Sequence, residues 1–385
     1  MADVTINQLA TINALSANNF IPISDGTSTT KLGTNSLFGF RNKVINGDMR
    51  VFQKSGTITY SGAGTTTCGV DRMRGTASGS GSWTMQQSTD VPAGERFYNS
   101  ILLTTTVATN SIVSNDCYYF AHVIEGYNTA DLAWGTANAR SITISFWVKG
   151  SVPGPYSLAV MNTEFTRSYL VTYTINAANT WERKVITVPG DVGATSISRA
   201  DLMGVAVVFD LGFASVYESS TSNTWLTTAK YALAGQTKLI NYSNATLRFT
   251  GLQIEEGVTA TPFEFRPFGY ELSLCQRYYC KTYSYSVTPG TAGTTGAGTI
   301  YGMSTGTGNR PIITWSFPVE MVKTPAIRFY SPQTGALGYC YDENMGSDRG
   351  AYNNGSSSKS VNVYAGGNSS AGNAVQFHIV ADAEY

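Results

Sequence analysis

Charged side chains are scarce in this sequence. They make up 13% of the 385 residues, and the 25 basic and 25 acidic side chains cancel to a net charge of zero. In an ordinary soluble domain, about 25% of the residues are charged. No basic cluster stands out, so the electrostatic signature of a nucleic-acid-binding protein is missing and we expect no nucleic-acid partner. Low charge beside many hydroxyl and amide groups is typical of a surface that hydrogen-bonds sugars, and equally of a rigid structural protein.

Catalytic motifs are missing too. The sequence has two histidines. We expect His122, which stands among aromatic residues, to be partly buried, and His378, on the polar face of a strand, to be exposed. No G-x-S-x-G elbow accompanies either histidine, and the sequence contains no H-E-x-x-H motif or Cys/His zinc set. The sequence therefore predicts a protein that is not an enzyme.

A polysaccharide depolymerase is the enzymatic alternative. Glycoside cleavage uses two carboxyl groups about 5–9.5 Å apart across a cleft. Glu125 with Asp131, or Asp342 with Glu343, are the pairs that could be nominated. Any protein with 25 acidic residues offers such pairs, so the pattern alone does not favour catalysis.

Cysteine is limited to five scattered residues, Cys68, Cys117, Cys275, Cys280 and Cys340. An odd number at irregular spacing does not indicate a disulfide framework, and the one close pair has no second pair at zinc-ligand spacing. We therefore expect reduced and mostly buried thiols, as in a protein assembled in a reducing cytoplasm.

Long apolar runs are also missing. No segment approaches the ~20 apolar residues of a membrane span. Residues 1–9 have neither the basic nor the apolar region of a secretory signal. We expect no membrane insertion.

Glycine and tyrosine are abundant, with 39 and 23 residues, and this composition favours strands and tight turns. Apolar and polar residues alternate in residues 142–149, 168–175 and 374–382, and residues 202–212 are nearly continuously apolar. A period of two predicts strands with one buried face, and continuous apolarity predicts a central strand. Many strands without βαβ alternation predict an all-β fold built from antiparallel sheets, as a jelly roll or β-sandwich.

Gly251 marks a change of phase within one strand. Leu247 and Phe249 share one phase, and Leu252 and Ile254 share the other. A β-bulge at Gly251 would let both pairs reach the core.

The chain divides into four segments. These are a short N-terminal segment (1–39), a jelly roll (40–267), a connector helix (268–282) and a smaller C-terminal β-sandwich (283–385). About 40 residues bury too little surface to fold alone, so residues 1–39 are expected to dock onto a larger particle or onto copies of themselves. Within them the sequence predicts a short helix at residues 9–15 and two extended segments around the turn at 25–26.

Several stretches resemble a family of phage tail-fibre and virion structural proteins. The most specific is GLQIEEGVTATPFEFRPFGYELSLCQRYYCK, a strand ending in an acidic pair, a TPFE turn, an Arg-Pro and a helix. The stretches that carry the resemblance are residues 251–281, 41–53, 70–75, 145–151, 317–332 and 381–385. The resemblance implies a carbohydrate-binding-module-like jelly roll followed by a small tip domain, in a homotrimer located in the virion. It also implies that residues 1–39 attach to other virion proteins.

The resemblance leaves the position in the particle open. Members of this family serve as tail fibres, as collar or neck spikes and as head fibres. We expect a tail-fibre or spike subunit that adheres to host surface glycans. A purely architectural collar, neck or head fibre without its own receptor is the main alternative, because both functions use the same fold.

Aromatic residues in loop-like stretches are the candidate glycan contacts, because they supply apolar platforms beside amide groups. The candidates are Tyr127, Trp134, Trp225, Tyr341 and Tyr352. The last two lie in CYDENMGSDRGAYNNG of the tip domain, where a receptor contact would be most exposed. The alternative for each residue is packing between subunits or against its own domain.

We expect no cofactor. A structural calcium ion is the one exception that the resemblance suggests, since jelly-roll carbohydrate modules often hold one near their first and last strands. Calcium takes oxygen ligands. The candidates are Asn46 and Asp48 near the start and Glu255 and Glu256 near the end. The alternative is a set of salt bridges with Arg50, Arg72 or Arg266.

Overall fold

The protein is almost entirely β-structure. The computed structural model describes residues 20–24, 29–33, 40–62, 64–162, 164–193, 200–296, 298–303, 312–367 and 372–385. In this part of the chain the regular elements are strands, one α-helix and short 3-10 helices at Gly126–Leu132, Ser215–Tyr217 and Leu239–Asn241. The predicted all-β class is confirmed.

An N-terminal hairpin comes first. It consists of β1 (Phe20–Ser24) and β2 (Thr29–Gly33), which pair antiparallel with Phe20 opposite Gly33. The two predicted extended segments are thereby confirmed. The predicted helix at 9–15 and the turn at 25–26 lie outside the described residues.

A two-sheet sandwich follows. Its strands are β3 (Ile58–Ser61), β4 (Thr65–Cys68), β5 (Met73–Ser78), β6 (Ser82–Ser88), β7 (Ser100–Val107), β8 (Cys117–Glu125), β9 (Ile142–Gly150), β10 (Gly154–Asn162), β11 (Ser168–Ile175), β12 (Glu182–Val188), β13 (Met203–Phe213), β14 (Glu218–Ser219), β15 (Trp225–Leu226), β16 (Ala232–Leu233) and β17 (Thr246–Glu256). One sheet has seven strands in the order β15-β11-β10-β13-β8-β5-β4, and the other has six in the order β12-β9-β17-β7-β6-β3. β14 and β16 form a separate parallel pair.

The sandwich core lies between the two sheets. In β9, Ile142, Ile144, Phe146 and Val148 are all buried in it, as their alternation predicts. β13 lies between β10 and β8 and is buried along nearly its whole length, which confirms the predicted central strand. Burying one such side chain stabilises the fold by about 1.5–3 kcal/mol.

β17 contains the predicted bulge. Its pairing with β9 shifts register between Thr250 and Gln253, and Gly251 has a φ of +62°. Residues on both sides of the bulge, including Phe249 and Leu252, are buried in the core. A Cβ at Gly251 would lie 2.6 Å from the Phe97 ring, so both conformation and space require glycine here.

The connector helix is shorter than predicted. α1 covers Phe268–Gln276, and residues Tyr279–Lys281 form β18 instead of continuing the helix to 282. Tyr279 pairs with Asp382 of the last strand, and Cys280 is fully buried. At these residues, pairing with the edge of the last strand and burial of Cys280 in the core therefore outweigh the helical periodicity.

The C-terminal unit is a second β-structure. After β18 its strands are β19 (Ile300–Met303), β20 (Ile312–Ser316), β21 (Ala326–Tyr330), β22 (Tyr339–Asp342), β23 (Ser347–Ser356), β24 (Ser360–Ala365) and β25 (Ala374–Asp382). The order is β18-β25-β22-β23-β24-β20, and β19 and β21 also pair with β25. Ile45 and Val51 from the start of the sandwich pack into this second core, so the core does not follow the predicted boundary at 267.

Polar contacts join the two ends of the sandwich to each other and the sandwich to the C-terminal unit. The Arg266 guanidinium donates to the carbonyl oxygens of Val44 and Asn42, and the Glu264 carboxylate accepts from the Asn42 amide at 2.7 Å. Arg277 forms a two-contact ion pair with Glu125, at 2.6 and 3.0 Å. The most specific part of the resemblance, residues 251–281, thus fastens the chain entering the sandwich to the chain leaving it.

All five cysteines are free, and four of them are buried. Across the described ranges, no helix is long and apolar enough to cross a membrane.

Candidate functional site: an aromatic platform on the C-terminal unit

The stretch predicted as a loop at 340–355 is a β-hairpin. β22 and β23 pair with Tyr341 opposite Asp348 and Tyr339 opposite Gly350. The Asp342 carboxylate accepts hydrogen bonds from the Asn344 and Met345 amides, both at 3.0 Å, and so closes the turn. Only the short turn between β22 and β23 is a loop, although the composition of the whole stretch predicted one. The register places Tyr341 and Tyr352 on the same face of the hairpin.

Tyr352 lies flat on the sheet because two glycines leave room for it. A Cβ at Gly350 would lie 2.9 Å from the phenol oxygen, and a Cβ at Gly366 would lie 2.7 Å from Cε2 of the ring. The ring stacks on Tyr364, its cross-strand partner, with centroids 5.3 Å apart and planes at 20°. Tyr352 nevertheless remains 49% exposed.

Neighbouring residues extend this flat surface, which we call the tyrosine platform and define as Ile312, Tyr339, Tyr352 and Tyr364. Ile312 is 62% exposed and stands opposite Tyr364, and Tyr339 is 46% exposed and stands opposite Gly350. At its edge, the Thr314 hydroxyl and the Asn362 amide oxygen are 2.7 Å apart. The platform thus combines an apolar, uncharged surface with neutral polar groups, which suits a ligand such as a sugar ring.

A second aromatic row lies across β25. Tyr341 and Tyr301 both stand opposite Gln376, from β22 and β19. Tyr341 is half-buried and Tyr301 is exposed. The Gln376 amide donates to Glu343, which fixes the polar centre of the row.

Sequence reasoning named Tyr341 and Tyr352 but missed Tyr301, Tyr339 and Tyr364. One signal for Tyr364 was present. In SVNVYA the residues Val361 and Val363 alternate with Asn362 and Tyr364, so Tyr364 belongs to the face opposite the buried valines. Its stacking on Tyr352 depends on cross-strand register, which the sequence pattern does not supply.

The two tryptophans predicted as glycan contacts, Trp134 and Trp225, pack within the sandwich. Trp134 is 4% exposed, and its indole N–H donates to the Arg140 carbonyl at 2.7 Å. The prediction of an exposed Trp134 is wrong, because Trp225 covers it with ring centroids 5.2 Å apart. Trp225 belongs to the edge strand β15 and donates its own N–H to the Pro189 carbonyl. Tyr127 is exposed in the 3-10 helix after β8.

The four calcium candidates do not converge. The buried Asn46 amide bonds the Val51 backbone and the Asp71 carbonyl. Asp48 pairs with Arg50, as the salt-bridge alternative predicted. Glu255 accepts from Thr261, and Glu256 pairs with Arg140 at 3.1 Å.

Within the described ranges, no group of three or more His, Cys, Asp or Glu side chains is arranged for a metal ion. The four side chains as arranged therefore do not fit calcium coordination. The expectation that the protein has no cofactor stays a prediction.

Both histidines are fully buried. His122 accepts a weak hydrogen bond of 3.4 Å from the Ile45 amide. The prediction of an exposed His378 is wrong, because the segment after β18 covers that face of β25. The His378 ring stacks on Tyr283 with centroids 3.6 Å apart, and His378 Nδ1 is 2.9 Å from the Thr282 hydroxyl. Burial lowers the pKa of His378 to about 4.

The nominated carboxyl pairs are engaged elsewhere. Glu125 binds Arg277 and the Tyr278 hydroxyl, and Asp131 binds Lys43. Asp342 is buried and pairs with Arg349 at 2.8 Å, while Glu343 accepts from Gln376. In each nominated pair, therefore, at least one carboxylate is neutralised by a neighbouring cation.

Comparisons with known proteins give distant likeness. No protein-family model and no curated protein matches this sequence. Among solved structures, the enzymatically active domain of tailspike protein 4 of bacteriophage CBA120 matches at 14% identity and a TM-score of 0.30, over 56% of this chain and 22% of that chain. A structure described as CBM4 matches at 12% identity and a TM-score of 0.29, over 56% of this chain and 99% of that chain.

The family 11 carbohydrate-binding module of Clostridium thermocellum matches at 9% identity and a TM-score of 0.26, over 50% of this chain and 95% of that chain. This chain therefore spans less than a quarter of the tailspike chain. Likeness at this level assigns neither a fold nor a function.

Proposed function

We propose that this protein is a non-enzymatic structural protein of a phage virion that adheres to host surface glycans through its C-terminal unit. The observation that carries the adhesive function is the tyrosine platform, above all the exposed Tyr352 ring held flat over Gly350 and Gly366. The virion function is supported by the sequence resemblance, whose most specific block forms the polar junction between the two units.

The platform is suited to a neutral sugar ring for two reasons. An aromatic face offers apolar contact to the C–H groups of a pyranose, and nearby amide and hydroxyl groups match its hydroxyls. Tyr352 is also already oriented by Tyr364 and by the two glycines, so little side-chain freedom is lost when a ligand binds.

Assembly would strengthen weak single-site binding. We propose a homotrimer, with residues 1–39 attached to other virion proteins, because symmetric homo-oligomers are the rule and exposed sheet edges need cover. Several copies engaging one cell surface would raise the overall affinity by about 10²–10⁴.

Replacement of Tyr352 by alanine tests the adhesive function. The purified full-length chain is titrated onto intact host cells and extracted surface polysaccharide. We expect saturable binding that weakens at least tenfold in Tyr352→Ala, about 1.4 kcal/mol, because the stacking surface is lost. Tyr98→Ala is the matched control, since Tyr98 is 77% exposed and lies in the sandwich.

Other outcomes separate the alternatives. If the folded, oligomeric protein does not bind, the architectural collar, neck or head fibre is favoured. If it releases new reducing ends from the polysaccharide, the non-enzymatic proposal is wrong.

Gly350→Ala tests the orientation of the ring. A methyl group there meets Tyr352 at 2.9–3.2 Å and must displace it. We expect glycan binding to fall as in Tyr352→Ala, while the free energy of unfolding changes by less than about 0.5 kcal/mol, as for most surface substitutions. Gly269→Ala is the control, because a Cβ there meets nothing within 4 Å. Unchanged glycan binding in folded Gly350→Ala would show that the flat orientation is unimportant.

A further inference from the structure

The outer face of the seven-stranded sheet carries a second group of aromatic residues. On β5 and β8, Arg74 stands opposite Ala121 and Thr76 opposite Tyr119, on the face that points away from the sandwich core. On this same outer face, Ala121, Val123 and Phe213 belong to an apolar cluster that is separate from the sandwich core. The face is therefore only partly covered by the chain that follows β13.

The aromatic rings form a stacked series around Phe213. Tyr119 stacks on Phe213 with ring centroids 5.4 Å apart and planes at 13°, and Tyr231 also stacks on Phe213, at 5.2 Å and 25°. Tyr217 meets Tyr231 edge-on at 5.4 Å. Phe213 is buried, whereas the three tyrosines are half-buried, so their rings and hydroxyls border the surface.

Arg74 lies beside these rings, and its side chain has no hydrogen-bond or ion-pair partner among the described residues. Its side chain is half-buried, and its Nε atom is buried with no hydrogen-bond acceptor among the described residues. No described carboxylate lies within ion-pair distance of its guanidinium. Arg74 is the diagonal cross-strand neighbour of Tyr119, because it stands opposite Ala121, two residues along β8. Burial raises the pKa of Tyr231 to about 12, and the Arg74 charge acts in the opposite direction.

An unpaired, partly desolvated guanidinium is unfavourable and calls for an explanation. A carboxylate matches its fork of N–H donors in a two-contact geometry, and such charge-assisted bonds are stronger than neutral ones. The adjoining tyrosines supply ring faces and hydroxyls, which suit a sugar ring rather than a charge alone.

We propose that Arg74, with Tyr119, Tyr217 and Tyr231, forms a binding site for a carboxylated sugar, such as a hexuronic acid unit of an acidic polysaccharide. Arg74 binds the carboxylate, and the tyrosines contact the ring. This site is on a different unit from the tyrosine platform and does not depend on it.

Paired probes separate recognition of the carboxylate from recognition of the sugar. The full-length protein is titrated with trigalacturonate and with its fully methyl-esterified form, which has the same rings without charge. We expect trigalacturonate to bind at least tenfold more tightly, and its affinity to fall as salt is raised. Equal affinity for the ester, or no binding of trigalacturonate at about 1 mM, would overturn the proposal.

Two variants locate the site. Arg74→Gln is expected to weaken trigalacturonate binding at least tenfold while leaving the ester unchanged, and Tyr217→Ala to weaken both probes. Arg183→Gln is the matched control, because Arg183 is exposed on the other sheet. Full binding by folded Arg74→Gln contradicts the site, and so does equally tight binding of tetraglutamate, which would indicate recognition of charge alone.

Discussion

Arg72→Ala is expected to lower the free energy of unfolding by about 3–5 kcal/mol, the usual effect of removing one partner of a buried ion pair. Arg72 is 2% exposed, and its guanidinium pairs with Glu384 and donates to the Val123 carbonyl at 2.6 Å. The guanidinium also lies 3.5 Å from the centre of the Tyr278 ring. Its removal would leave the Glu384 carboxylate buried without its cation.

The effect should be cooperative across the junction, because Arg72 belongs to the sandwich and Glu384 follows the last strand. Urea unfolding at neutral pH measures it. A double-mutant cycle with Glu384→Gln is expected to show a coupling energy well above zero, since each single variant leaves one buried charge unpaired.

Arg328→Ala is the matched control for Arg72→Ala. Arg328 pairs with Asp382 at 3.4 Å, but its side chain is 50% exposed. Exposed pairs contribute about 0–1 kcal/mol, so this variant should unfold nearly as the wild type does. If Arg72→Ala were equally mild, the buried pair would contribute little to holding the two units together.

Asp210 is expected to make the protein less stable as pH rises towards 8. Asp210 is 1% exposed on β13, and the Gly212 amide is the backbone donor that faces its carboxyl group. Burial raises its pKa from 3.8 to about 8, although Lys238 lowers it. Lys238 is itself paired with Glu218 at 2.7 Å, so it compensates the Asp210 charge only in part.

The direction of the pH effect follows from proton binding. Between the unfolded pKa of 3.8 and the folded pKa of about 8, the folded state keeps a proton that the unfolded state releases. The contribution is therefore complete below about pH 4 and is lost as pH rises through 8, at about 1.4 kcal/mol per pH unit.

Asp210→Asn tests this, because asparagine resembles the protonated acid and cannot ionise. We expect the variant to lose this pH dependence and to be more stable than the wild type at pH 8. Denaturant unfolding at several pH values measures the difference. Asp131→Asn is the control, since Asp131 is 61% exposed.

The buried histidines do not affect the difference in unfolding free energy between Asp210→Asn and the wild type. The pKa values of His122 and His378 are lowered by burial, so their contribution is present above pH 6.5 and is lost as pH falls below it. Both proteins carry these histidines, and the difference between their curves reports Asp210. A constant difference from pH 4 to 8 would show that Asp210 is ionised in the folded protein.

Strands were predictable from the sequence because a half-buried strand must alternate. β9 and β25 occur where apolar residues recur with a period of two, although the structure buries both faces of β25. The phase switch in β17 revealed the bulge at Gly251. The connector helix was predictable in kind but not in length, since residues 279–281 could either continue the helical period or pair with β25.

The candidate site was predictable only in part. Tyr341 and Tyr352 were nominated by residue type, and both lie on one face of the β22–β23 hairpin. The same reasoning nominated Trp134, which Trp225 covers. Residue type indicates what a side chain can bind, but not whether another segment covers it.

The sequence by itself determined the all-β class, the main strands and the bulge, because these depend on local backbone preferences and on the period of side chains along one strand. Only the tertiary structure decided which faces are covered and which side chains meet. Alternation assigned His378 to the polar face of its strand, yet Tyr283 and Thr282, about a hundred positions earlier, bury it. The Tyr352 ring likewise gains its flat setting from Gly350 on β23 and from Gly366, just after β24. Register and packing, not the pattern along one strand, bring such residues together.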